Sequence, residues 1–92
     1  MTTIVTKGAH HIGLTVSKLE ESAAFFTKLL GWKEVKRRDD YPAIFVSDGN
    51  IMITLWKSKL LNPPVFDKNH IGLHHIAFMV DSEAALNACH RI

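Results

Sequence analysis

Gly8-Ala9-His10-His11-Ile12-Gly13-Leu14-Thr15-Val16-Ser17 returns sixty-four positions later as Gly72-Leu73-His74-His75-Ile76-Ala77-Phe78-Met79-Val80-Asp81. Gly, His, His, Ile and Val coincide outright, while Leu14/Phe78 and Ser17/Asp81 agree in physical type. Histidine is scarce enough that two tandem pairs at one offset mark an internal repeat. Each copy also leads into a stretch rich in Ala and Leu at helical spacing. The chain therefore reads as one module followed by the beginning of a second.

Working outward from the first copy, the period is two. Ile12, Leu14 and Val16 share one face of a strand with His10, and His11, Gly13 and Thr15 share the other. Ser17-Lys18-Leu19-Glu20 fits a capping box with Ser17 as N-cap. A helix is expected from about Lys18 to Leu30, its stripe built from Leu19, Ala23, Phe26 and Leu30 and widened by Phe25 and Leu29. Gly31 suits the left-handed residue beyond the helix end. Three strand-like segments follow, over residues 32–38, 43–47 and 51–57. Asp48-Gly49-Asn50 is a strong hairpin turn between the last two, and Asp39-Asp40-Tyr41-Pro42 a weaker one between the first two. Residues 8–57 thus form a β-α-β-β-β module and 58–71, with Pro63-Pro64, a connection. Residues 72–92 open a second module: a strand over Leu73–Val80, Asp81 as N-cap, and a helix from Ser82.

That second helix is still periodic at Arg91-Ile92, without a C-cap. The expected class is α+β, paired βαβββ modules with the second truncated after its first strand and helix. A lone strand and helix would leave an apolar face and an unpaired edge open, so a second copy of the chain is expected to cover them as a homodimer.

Composition narrows the function. Ninety-two residues of 10.4 kDa make one small domain with a thin core. Apolar residues at 47% and charged residues at 22% belong to an ordinary soluble globular chain. Eleven Lys and Arg against nine Asp and Glu leave a net charge of +2, too little to argue for nucleic acid. The start carries no apolar secretory segment, and the dense apolar run over 51–56 is far too short for a membrane span. One cysteine, Cys89, cannot close an internal disulfide, so a cytoplasmic setting is expected. Cys89 reads as a small core residue.

The strand faces sort the histidines. If the helix covers Ile12, Leu14 and Val16, His11 points to the opposite face beside small neighbours. By the repeat, His75 takes the equivalent position beside Ala77 and Met79. A lone exposed histidine is ordinarily a hydrogen-bonding surface residue; its repetition favours a pair of metal ligands. Two neutral imidazoles with a carboxylate make an open site for Fe, Mn, Ni or Zn. His10 and His74 belong to the covered faces, and His70 and His90 default to surface residues. In the last strand of the module, Met52, Thr54 and Trp56 alternate with Ile51, Ile53 and Leu55. The first set, with Phe45 and Met79, either walls a cavity for a small organic substrate or is plain core. Lys36-Arg37-Arg38 is followed by Asp39-Asp40 and reads as a solvated strand end.

The pieces His11-Ile12-Gly13-Leu14-Thr15-Val16, Phe25-Phe26-Thr27-Lys28-Leu29-Leu30-Gly31-Trp32 and His75-Ile76-Ala77-Phe78-Met79-Val80 closely resemble the vicinal oxygen chelate superfamily. That group holds glyoxalase I, extradiol dioxygenases, fosfomycin-resistance transferases and bleomycin-binding proteins. The resemblance spans residues 8–92. It implies paired βαβββ modules curled around a metal site, with the first-strand ligand at His11 and the second-module ligand at His75. Glyoxalase I members carry a Glu on the last strand of the first module, where this chain has Thr54. The pattern of two histidines and one Glu fits better, although that Glu comes from a strand this sequence does not contain. The resemblance thus implies a metal-dependent enzyme, of lyase or ring-cleaving type, that chelates two vicinal oxygens of a small substrate. No residue is identified as general base. The rival reading is a non-catalytic small-molecule-binding protein of the bleomycin-resistance kind, which needs no metal.

Overall fold

The computed structural model describes residues 3–64 and 67–90, residue 90 by its backbone only. The chain divides into two units that meet between Lys59 and Leu60. The first carries β1 (His11–Val16), α1 (Leu19–Ala24) continued by a π turn (Phe25–Leu29), β2 (Lys33–Arg38), β3 (Ala43–Ser47) and β4 (Met52–Lys57). The second carries α2 (Glu83–His90). The class is α+β, and the first unit is a βαβββ module.

The four strands form one sheet in the order β1-β4-β3-β2. The hairpins make β2, β3 and β4 antiparallel, and β1 joins β4 in parallel. A parallel pair needs a crossover, which α1 and the two intervening strands supply. At the β3–β4 turn the Asp48 carboxylate accepts the N–H groups of Asn50 (2.8 Å) and Ile51 (2.9 Å). Gly49 there has φ +99°, a conformation that only glycine adopts cheaply. These same amides, Ile51 first, hold the Asp48 carboxyl below its ordinary pKa.

One face of the sheet packs on the helix. Ile44, Val46, Ile53 and Leu55 are 0% exposed, each worth roughly 1.5–3 kcal/mol of burial. The register sets Ile12 beside Ile53 and Leu14 beside Leu55, so β1 offers its half-buried apolar residues to the same layer. From the helix, Leu19, Ala23 and Phe26 are buried, whereas Phe25 is 49% exposed and does not widen the stripe. The reason lies in the last turn. Leu30 N–H donates to Phe25 O (3.2 Å), a five-residue step, and Trp32 N–H donates to Phe26 O (2.9 Å). This wider turn shifts the 3.6-residue phase, and the helix ends at Leu29. Gly31 follows with φ +76°, as the sequence predicts.

β2 is an edge strand whose six residues are all exposed. Four of its residues are cationic, and a bulge between Glu34 and Lys36 bends it. Both features discourage pairing with another edge. Arg37 leans to the helix side and bonds Glu20 of α1 (2.6 Å) and Glu34 (2.8 Å). Its hydrogen bond holds the Glu34 carboxyl below the usual range, and the two carboxylates raise the pKa of Arg37. Arg38 and the Tyr41 N–H likewise hold Asp40 at about 2. All these groups stand in solvent, so they orient the strand end more than they stabilise it.

Several sequence expectations are corrected at element ends. β2 begins at Lys33 and β4 at Met52, each one residue inside its predicted start. Ser17 forms no capping box: Lys18 occupies the N-cap without a side-chain bond, and Glu20 is drawn to Arg37. In the second unit Ser82, not Asp81, is the cap, its Oγ accepting the Ala85 N–H at 3.1 Å. The largest correction concerns residues 73–80, which form no strand among the described residues. A strand is completed by its ladder, and none of the described segments hydrogen-bonds alongside this one. Cys89 is half-buried. Arg91, Ile92 and the side chain of His90 lie outside the described residues. No described helix is long and apolar enough to cross a membrane.

Candidate functional site

The sheet face opposite α1 is built by register. β1 and β4 set His11 beside Met52, Gly13 beside Thr54 and Thr15 beside Trp56. β3 adds Ser47 beside Met52, Phe45 beside Thr54 and Ala43 beside Trp56. Paired residues project to one side of a sheet, so His11, Phe45, Met52, Thr54 and Trp56 share this face. Gly13 is the position on it without a side chain. A Cβ placed there would stand 3.6 Å from Trp56 Nε1, so the indole reaches across β4 to lie over the glycine next to His11. Thr54 is 3% exposed, sunk between the larger Phe45, Met52 and Trp56, which are half-buried.

The aromatic side chains on this face form a series. Phe45 and Trp56 have ring centroids 6.1 Å apart, and Trp56 meets the Tyr41 ring edge-on at 4.9 Å. Edge-to-face packing at such distances is attractive beyond burial alone. Tyr41, read from the sequence only as part of a turn, is the residue that reading missed. Its signal is faint: the turn that carries it places it beside the end of β4, and only the tertiary pairing shows that.

His11 is exposed at the start of β1. Its Nδ1 lies 2.9 Å from Nδ1 of His10, with the rings edge-on at 5.2 Å and 84°. One of the two nitrogens carries the proton: where His11 Nδ1 donates, its Nε2 keeps a free lone pair, and where it accepts, Nε2 carries the hydrogen. His10 is thus an exposed partner of His11 and not a helix-covered residue. The second copy reproduces the arrangement: His74 and His75 approach through Nδ1 at 2.9 Å, with rings at 5.1 Å and 83°. His74 and His75 are both exposed, as is Met79 at 97%. The structure gathers His11, Phe45, Met52, Thr54 and Trp56 in the first unit; His75 and Met79 belong to the second.

A neutral imidazole suits a borderline divalent ion; the small Ala77 follows His75 by two residues, and at His11 the Trp56 indole lies over the equivalent Gly13. Among the described residues no three His, Cys, Asp or Glu side chains cluster closely enough to hold a metal. Each histidine by itself can offer one imidazole to a divalent ion. An open groove of about 470 Å³ lies at the start of α1, between residues 17–21, Pro42 and Lys57. It contains none of the candidate residues.

Residues 8–92 match the Glyoxalase/Bleomycin resistance protein/Dioxygenase superfamily. The chain belongs to that superfamily. Among solved structures, a glyoxylase/bleomycin resistance protein/dioxygenase domain from Frankia sp. EAN1pec is 31% identical with a TM-score of 0.78. The alignment covers 94% of this chain and 66% of the Frankia chain, so the sequence spans just under two thirds of that relative's length. A possible glyoxalase from Bacillus cereus is 22% identical (TM-score 0.70, 94% and 70% covered). A lactoylglutathione lyase from Agrobacterium tumefaciens is 18% identical (TM-score 0.68, 96% and 69% covered). These last two show likeness of fold. No protein of curated function matches the sequence. In this superfamily member the last strand of the module presents Thr54, a weak ligand for a divalent ion, at a buried position on the His11 face.

Proposed function

We propose that this superfamily member binds a divalent metal through His11 and His75 and acts on a small substrate that offers two vicinal oxygens. The supporting observation is the recurrence of one histidine geometry in both copies of the repeat, each with Nδ1 tied to the preceding histidine. That contact orients the ring, as outer partners of metal-binding histidines do. Bound there, the ion would polarise adjacent substrate oxygens and stabilise negative charge developing on them. Two histidines without an acidic group at Thr54 favour the ligand pattern of two histidines and one carboxylate. The chain's own residues shape the surroundings: half-buried Phe45, Met52 and Trp56 give one side an apolar wall, and the Trp56 indole lies over Gly13 beside His11. No general base is assigned, because no strand residue on this face is a carboxylate.

The test is metal content. Purified protein should carry close to one equivalent of transition metal, with His11→Ala and His75→Ala each lowering affinity by about 100-fold. A second reading, a metal-free binding protein for small aromatic molecules, is favoured by the Tyr41–Trp56–Phe45 series. Metal-free protein unaffected by the histidine substitutions would select it.

A further inference from the structure

The aromatic series ends in a lysine on both sides. Lys36 Nζ stands 5.8 Å from the Phe45 ring centroid, and Lys59 Nζ stands 4.0 Å from that of Tyr41. Lys36, Phe45, Trp56, Tyr41 and Lys59 thus make one continuous row within the first unit. Both ammonium groups rest on ring faces, and among the described residues neither has a carboxylate partner. This contrasts with their neighbours Arg37 and Arg38, which are both ion-paired.

Charge on the face is one-sided. From β2 the register adds Lys33 beside Ser47, Lys36 beside Phe45 and Arg38 beside Ala43. From β1, β3 and β4 it receives no Asp or Glu. The Trp56 indole N–H, poised over Gly13, has no acceptor among the described residues. An apolar, aromatic surface with uncompensated cations at its ends and a free N–H donor in its middle is complementary to one class of small molecule.

We propose that this face binds a planar aromatic anion, such as an aryl carboxylate, with its ring on Trp56 and Phe45 and its charge attracted by Lys36 and Lys59. Cation–π contact already holds each ammonium at the row, and an arriving carboxylate adds the counter-charge that the sheet withholds. A neutral ring gains only the stacking, and a cationic one is repelled. The inference takes from the proposed function only that this face is the substrate wall, and it names the substrate class.

The experiment is calorimetric titration of chelator-treated protein with 2-naphthoate and with its neutral counterpart 2-naphthamide. Because metal is removed, the outcome is independent of the histidine-ligand result. Naphthoate should bind about tenfold more tightly than the amide at low ionic strength, with the gap closing in roughly 0.5 M salt. The exposed double variant Lys36→Gln/Lys59→Gln should abolish the preference, bringing naphthoate to the affinity of the amide. Trp56→Leu should weaken both probes. Equal affinities, no binding of naphthoate, or a preference that survives in the lysine variant would each overturn the proposal.

Discussion

The two copies of the repeat share their histidine geometry to within 0.1 Å in ring separation, 5.2 against 5.1 Å, yet they differ in secondary structure. Residues 11–16 pair along their whole length with β4, while residues 73–80 have no ladder among the described segments. The dipeptide thus sets its own local pairing, edge to edge through Nδ1, without help from a sheet. The strand state is set by something else. β1 is held by the central strand of its own module, whose Ile53 and Leu55 are 0% exposed. The second copy has exposed Phe78 and Val80 where the first has half-buried Leu14 and Val16, while Ile76 is half-buried like its counterpart Ile12. Alternation decides which side chains share a face; burial against a partner decides whether the strand exists.

Amide exchange gives the sharpest contrast between the copies. Amides of Ile53 and Leu55 should be protected about 1,000-fold or more over those of residues 73–79, because the former open only with the module. Similar protection in the second copy would break the comparison and imply a ladder partner. Smaller in effect is a pair of truncations. Leu55→Ala should cost about 2–5 kcal/mol through loss of packing, and Met79→Ala, at a position 97% exposed, less than about 0.5 kcal/mol. Chemical denaturation checks both. A large loss at Met79 would show that the second copy is packed in solution.

Much of the first unit was legible because its signals agree. Strand alternation, Asp48-Gly49, Gly31 and the Leu19/Ala23/Phe26 stripe all point to βαβββ, and the facing of His11, Phe45, Met52, Thr54 and Trp56 follows from period two alone. What the sequence did not show depends on contacts across the chain. Ser17-x-x-Glu20 satisfies a capping box on paper, but Arg37, seventeen residues away, competes for Glu20. The π turn that exposes Phe25 leaves no composition trace. Tyr41 and the lysines at 36 and 59 gain meaning only when the register brings β2 and the end of β4 to the same aromatic row. For the second unit the repeat implied a strand over 73–80 that the described residues do not form, since a ladder is a property of two segments.

The central claim is that His11 and His75 hold the same ion. X-ray absorption of the zinc- or nickel-loaded protein counts imidazole ligands directly. Two imidazoles per ion in the unmodified chain, falling to one in either His11→Ala or His75→Ala, is the result expected. An ion bound by one imidazole or none in the unmodified protein, or a count that neither substitution changes, would contradict it.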